Sequence, residues 1–165
     1  FDVRDAVRSV AQLTSVRAQE GGITETIDIP PDVPLLRGDE RKTMQIVLNL
    51  VTNAIKFSPA GGGIVIACRA DPSAGLSITV TDTGIGIAEE DLGRVLEAFE
   101  QADSSLSRKQ QGTGLGLPLV RAMMELHGGS FELKSTLGVG TEAKITFPAD
   151  RLVYSPEHAA VSIAA

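Results

Sequence analysis

Apolar residues recur along this chain with two different periods. Between residues 2 and 20, Val3, Ala6, Val7, Val10, Leu13 and Val16 fall at helical spacing, which predicts an amphipathic helix capped by Asp2 and stopped by Gly21-Gly22. Ile23, Glu25, Ile27 and Ile29 then alternate with Thr24, Thr26 and Asp28, a strand ending at Pro30-Pro31. Pro34-Leu35-Leu36-Arg37 reads as a short extended piece. Asp39 caps a second helix running to Phe57, where Ser58-Pro59 ends it. After a Gly61-Gly62-Gly63 loop, Ile64 to Arg69 and Leu76 to Asp82 form a hairpin over the turn at residues 71–75. A short helix is expected from Glu89 to Ala98, and the polar stretch 103–111 is expected to be a mobile loop. A further helix follows the glycine turn at Gly112 to Gly116, has Pro118 in its first turn, and ends at His127-Gly128-Gly129. Ser130 to Ser135 and Glu142 to Phe147 close the pattern as a hairpin around Leu137-Gly138-Val139-Gly140. No internal repeat is visible. Helices mixed with hairpins, without regular strand-helix-strand alternation, predict an α+β two-layer sandwich.

Composition narrows the class. The chain has 165 residues, 42% of them hydrophobic and 22% charged, which suits one compact domain and excludes a disordered one. A single cysteine makes neither a disulfide framework nor a thiolate metal cluster. Cys68 lies in an apolar strand and reads as a buried core thiol in a reducing cytoplasm. No apolar run reaches the roughly 18 residues of a membrane helix, and no signal-peptide pattern opens the chain. Fifteen Lys and Arg against 21 Asp and Glu give a net charge of −6, so a global basic footprint for nucleic acid is absent. Any phosphate binding must be local. Beyond Pro148 the sequence becomes Ala- and Ser-rich. Residues 1–149 are therefore expected to form the domain, and 150–165 a poorly ordered tail or linker.

Three stretches carry chemistry. On the second helix, Gln45, Asn49, Thr52, Asn53 and Lys56 fall in one narrow stripe, while Ile46, Val47, Leu48, Leu50, Val51, Ala54 and Ile55 fill the rest of the circumference. A helix that apolar is buried, and its thin polar seam needs a partner. A neighbouring loop could supply one; alternatively the seam faces a polar ligand, with amide oxygens for Mg²⁺ and Lys56 for phosphate. Asp82 follows Leu76, Ile78 and Val80 on one strand face, so its carboxylate is carried inward, and Gly84 and Gly86 let the following backbone turn and approach a flat ligand. The plain alternative is an Asp-capped turn. Finally, Gly112-Thr113-Gly114-Leu115-Gly116 precedes a helix start, which offers free amides and a positive dipole end to an anion. It is neither a P-loop nor a dinucleotide fingerprint. Arg108 and Lys109 sit on the preceding loop, as phosphate contacts or as solvated charge.

In this order the motifs resemble the catalytic, ATP-binding domain of bacterial sensor histidine kinases, within the gyrase, chaperone and MutL-like ATPase superfamily. The resemblance runs through Gln45 to Ser58 (QIVLNLVTNAIKFS), Asp82 to Ile87 (DTGIGI), Phe99 to Asp103 (FEQAD) and Gly112 to Leu117 (GTGLGL), and covers residues 2–148. It implies a mixed, mostly antiparallel sheet covered on one face by helices. It also implies Mg²⁺ and ATP as cofactors and assigns roles by position. Asn53 would coordinate Mg²⁺, Lys56 would contact phosphate, and Asn49 would line the triphosphate side. Phe57 and Ile87 would wall the adenine, whose amine Asp82 would accept, with Gly84 and Gly86 shaping that end. Residues 103–111 would be the ATP lid, with Arg108 reaching the γ-phosphate. Gly112, Thr113, Gly114, Leu115 and Gly116 would hold phosphate oxygens, and Thr141 would contact the base side. Asn49, Lys56 and Arg108 are the candidate catalytic residues.

Hydrolysing members of the superfamily carry a glutamate where this chain has Asn49, an amide that takes no proton at neutral pH, so phosphoryl transfer is favoured over hydrolysis. The resemblance therefore implies a protein-histidine kinase domain that phosphorylates a histidine on separate dimerisation helices, with a downstream response regulator. The two histidines here, His127 before Gly-Gly and His158 in the tail, lack the context of a phosphoacceptor, and residues 2–20 are expected to begin just after the dimerisation module. The domain itself is expected to be cytoplasmic and monomeric, with no membrane or nucleic-acid contact; anchoring of a full-length protein at the inner membrane stays open. Two other readings stand beside this one: a regulatory module whose lid responds to ATP without phosphotransfer, and an anti-sigma-factor serine kinase on the same fold.

Overall fold

The computed structural model describes residues 1–97 and 115–154. Helix α1 (Val3–Glu20) begins where predicted, with the Asp2 carboxylate accepting from the Arg4 amide at 2.8 Å. Its buried stripe differs from the expected one. Val3, Ala6, Val7 and Val10 are buried, but the stripe continues through Thr14 and Ala18, leaving Leu13 and Val16 68% and 63% exposed. At 3.6 residues per turn, position 14 lies under position 10. Thr14 tolerates burial because its hydroxyl donates to the Val10 carbonyl at 3.0 Å.

Strand β1 (Thr24–Asp28) is followed by β2 (Leu35–Leu36) and helix α2 (Glu40–Phe57), which Asp39 caps through the Lys42 amide. Strands β3 (Gly63–Asp71) and β4 (Gly75–Asp82) form the predicted antiparallel hairpin. The α-helix expected at residues 89–98 is absent from the described part of that span. Two short 3₁₀ turns stand there, Glu89–Asp91 and Arg94–Leu96. Neither buries a residue, and so short a helix is not stable without packing. Helix α3 (Gly116–Leu126) precedes β5 (Ser130–Thr136) and β6 (Gly140–Phe147), and β7 (Leu152–Val153) follows.

The main sheet has the order β1-β3-β4-β6-β5. All its pairs are antiparallel except β1–β3. That parallel pair makes the sheet mixed, because α2 carries the chain back between its two strands. Alternate residues Ile64, Ile66 and Cys68 of β3, Leu76, Ile78 and Val80 of β4, and Ala143, Ile145 and Phe147 of β6 are buried in one core with α1, α2 and α3. The opposite sheet face is more open; Val65 is 40% exposed. This is the α+β sandwich expected from the sequence. Residues 150–154, assigned there to the tail, are drawn into the fold: Leu35 and Leu36 pair with Val153 and Leu152, and the Arg37 amide donates to the Arg151 carbonyl.

Candidate functional site

The polar seam of α2 lies where its apolar surroundings put it. Thr43, Ile46, Val47, Leu50, Val51, Ala54 and Ile55 are buried, whereas Asn49, Thr52, Asn53 and Lys56 are half-buried along the remaining edge. Asn49 Oδ1 accepts from Gln45 Nε2 at 3.2 Å, and Asn49 Nδ2 is buried without a partner. Asn53 faces the start of α3: a Cβ added to Gly116 would stand 3.2 Å from Asn53 Nδ2. The helix begins at Leu115-Gly116, where the N-cap residue Leu115 supplies no side-chain cap. Lys56 has no ion-pair partner among the described residues; its ammonium lies 4.8 Å from the Phe57 ring centre, and burial depresses its pKa. A partly desolvated cation with no ion-pair partner among the described residues favours an anion.

The other half of the site is a corner built on Asp82. The residue is buried at the end of β4, below Val80 and Ile78, as its strand phase requires. Burial raises its carboxyl above the ordinary value, while hydrogen bonds from the Gly84 and Thr141 amides pull the other way. Gly84 N donates to Asp82 Oδ1 at 2.8 Å, and the Ile85 amide donates to the Phe57 carbonyl at 3.0 Å, which ties the corner to the C-terminus of α2. A Cβ at Gly84 would fall 2.6 Å from both Asp82 Oδ1 and that carbonyl. Gly86 has φ +68° and packs so closely on the β5–β6 turn that a Cβ would meet the Thr136 carbonyl at 2.0 Å. The Gly138 amide donates to the Ile85 carbonyl at 2.7 Å, and the Ile87 amide to Ser135 Oγ at 2.8 Å. Thr141 faces Asp82 across β4–β6.

Thus Asn53, Gly116 and Leu115 come together at one end, with Asn49 a helical turn before Asn53 and Lys56 close beyond it. Phe57, Asp82, Gly84, Gly86, Ile87 and Thr141 come together at the other. Phe99 to Asp103, the stretch 103–111 with Arg108 and Lys109, Gly112, Thr113, Gly114 and His158 lie outside the described residues. Ser135 is the residue that pattern reading missed. A serine ending a strand carries no distinguishing signal, and only the β5–β6 register brings it beside Ile87 and Thr141. His127 is a core residue: its Nδ1–H donates to the Met123 carbonyl at 2.7 Å and its ring meets Phe147 edge-on.

This arrangement resembles known proteins throughout. The chain is 42% identical over 149 residues to the non-motile and phage-resistance protein of Caulobacter vibrioides, covering 88% of this chain and 18% of that one. It is 41% identical over 148 residues to histidine protein kinase DivJ of the same organism, covering 90% and 24%. The chain thus spans about a fifth of the length of these relatives. Among solved structures, full-length ShkA in complex with AMPPNP superposes with a TM-score of 0.82 at 32% identity, over 94% of this chain and 32% of ShkA. The mycobacterial sensor histidine kinase MprB gives 0.76 at 27% identity, over 90% and 96%. The profile of the histidine kinase-, DNA gyrase B- and HSP90-like ATPases matches residues 38–151. With that profile covering most of the chain, and the α2 seam, the Asp82 corner and the α3 start all inside the match, the chain belongs to this ATPase family.

Proposed function

We propose that this domain binds Mg²⁺-ATP and donates the γ-phosphoryl group to a histidine on a separate dimerisation domain. The carrying observation is the juxtaposition along the last turns of α2: Asn53 against the start of α3, then Lys56, which has no ion-pair partner among the described residues, and at the far end the buried acceptor Asp82. That polarity matches a nucleotide, with anionic phosphates at one end and an amine-bearing base at the other. The neighbour ShkA, solved with AMPPNP, supports the reading.

The donor set fits a metal that keeps most of its shell elsewhere. Asn53 supplies one neutral amide oxygen beside the α3 start, and Mg²⁺ characteristically takes few protein oxygens, completing its octahedron with phosphates and water. When bound, the ion would neutralise phosphate charge. Asn53 would hold it, Lys56 would place a positive charge on the phosphates, and Arg108, with Gly112, Thr113 and Gly114, would complete the phosphate cradle with Leu115 and Gly116. Asp82 would accept the adenine amine, Phe57 and Ile87 would flank the ring, and Gly84 and Gly86 would shape that end by letting the backbone pack tightly on Phe57 and the β5–β6 turn. Thr141 borders the same base. Asn49, a neutral amide that does not take a proton at neutral pH, would line the triphosphate without acting as a base. Positioning and charge neutralisation carry such a transfer.

Because His127 is locked in the core, the acceptor histidine is assigned to another domain. The catalytic unit, expected over residues 1–149, would then extend through β7, and a response regulator would receive the phosphoryl group afterwards. Titration calorimetry with ATP, with and without Mg²⁺, tests the site. Asn53→Ala should weaken Mg²⁺-dependent binding more than metal-free binding. Equal losses would make Asn53 a packing residue. Acid-labile phosphate on the isolated domain would contradict an acceptor elsewhere.

A further inference from the structure

We infer that Ser135 sets the hydrogen-bond polarity of the Thr141 hydroxyl, holding it as an acceptor beside Asp82 and so selecting an amine-bearing base over a carbonyl-bearing one. The inference rests on the nucleotide reading above and deepens it. Ser135 Oγ makes three contacts: the Ile87 amide at 2.8 Å, the Gly140 carbonyl at 2.9 Å and Thr141 Oγ1 at 2.8 Å. A hydroxyl has one proton and two lone pairs. The amide can only donate to it. The carbonyl can only accept from it, and that contact uses the single proton. Only one assignment then satisfies all three contacts: the Thr141 hydroxyl donates to Ser135 and keeps its own lone pairs.

Two neighbouring donors are already committed: Gly84 N–H to the Asp82 carboxylate at 2.8 Å and Ile85 N–H to the Phe57 carbonyl at 3.0 Å. A ligand edge arriving beside Asp82 and Thr141 therefore meets acceptors from both. An exocyclic amine satisfies them, whereas a carbonyl at the same position meets lone pairs with no proton between. Without Ser135, the Thr141 hydroxyl is released to rotate and donate, and the rejection of a carbonyl weakens. Ser135 is thus a positioning residue acting through Thr141.

The test measures ATP and GTP affinity by calorimetry for the wild-type chain, Ser135→Ala, Ser135→Thr and Thr141→Val, with circular dichroism as the folding control. Ser135→Ala should narrow the ATP-to-GTP preference by about 2- to 12-fold, the worth of one neutral hydrogen bond. Ser135→Thr keeps the hydroxyl and should restore the wild-type ratio, which a purely structural loss would not predict. Thr141→Val is near-isosteric and removes the hydroxyl altogether. If Thr141 only accepts, the ratio narrows; if it donates, ATP and GTP change in the opposite sense and the ratio widens. A folded Ser135→Ala with the wild-type ratio overturns the inference, as does a widened ratio in Thr141→Val, the variant that decides if Ser135→Ala does not fold. A wild-type chain that binds neither nucleotide overturns the function proposed above and this inference with it, whereas ATP binding with an unmoved ratio overturns this inference alone.

Discussion

Two carboxylates, both pushed up by burial, mark the residue scale. Asp82 keeps two amide donors and so remains an ordered acceptor. Asp82→Asn preserves shape but removes the charge, and its amide can turn to donate. A hydrogen bond to a charged group contributes about 1.5–3 kcal/mol, so ATP affinity should fall roughly 10- to 150-fold and the preference over GTP should shrink. Calorimetry on the folded variant checks this, and an unchanged affinity would leave Asp82 as a turn cap. Glu25 is the contrasting case. It lies on β1 and faces α1; its Oε1 is buried without a partner among the described residues, and Oε2 has the Thr14 hydroxyl, shared with the Val10 carbonyl, at 3.4 Å. Burial raises its pKa more than that hydroxyl lowers it. A carboxyl with a raised folded-state pKa binds more protons folded than unfolded, so its ionisation destabilises the fold as pH rises through the usual carboxylate range. Glu25→Gln should therefore raise the melting temperature at pH 7, and the gain should vanish below about pH 4, where both states are protonated. A constant gain across that range would trace the effect to packing instead of charge.

At the scale of elements, the helix starts are capped differently. Asp2 caps α1 and also pairs with Arg4, whose guanidinium holds the Asp2 carboxyl below the usual range. Asp2→Ala should cost about 0.5–2 kcal/mol in urea unfolding, while Asp2→Asn should retain most of the cap. The part owed to charge is present above the ordinary aspartate pKa and fades as pH falls through the lowered one. If the Ala and Asn variants unfold alike, the cap is not what Asp2 supplies. Helix α3 has an apolar N-cap residue, Leu115, which supplies no such side-chain cap.

The whole molecule is held by the shared core of the five-stranded sheet and three helices. Phe147 is fully buried at the end of β6 and meets the His127 ring at 5.5 Å, joining the last long strand to the end of α3. Phe147→Ala should cost about 3–5 kcal/mol, a large part of the 5–15 kcal/mol that such domains possess. The urea midpoint should drop with little change in slope. A loss under 1 kcal/mol would show that the site collapses around the deletion.

Much of this was legible in the chain, for a physical reason. Periodicity and caps act between residues a few positions apart, so α1, α2, the β3–β4 hairpin and the inward phase of Asp82 followed from local order alone. The nearly all-apolar circumference of α2 already required its seam of Asn49, Asn53 and Lys56 to meet something polar. What local order could not decide depends on partners distant in sequence. The buried stripe of α1 turned toward Thr14 and Ala18 because α2 and β1 lie on that side. The stretch at residues 89–97 stayed as 3₁₀ turns because nothing among the described residues covers it well enough to bury a residue. Strand β7 was hidden in an apparent tail because two residues make a strand only when β2 is waiting. Ser135 joined the Asp82 corner only once β5 was set in register against β6 and Gly86 had packed on the turn beyond. Side-chain patterns specify which face a segment buries; tertiary structure decides which donors and acceptors are left unspent, and that remainder is what a ligand meets.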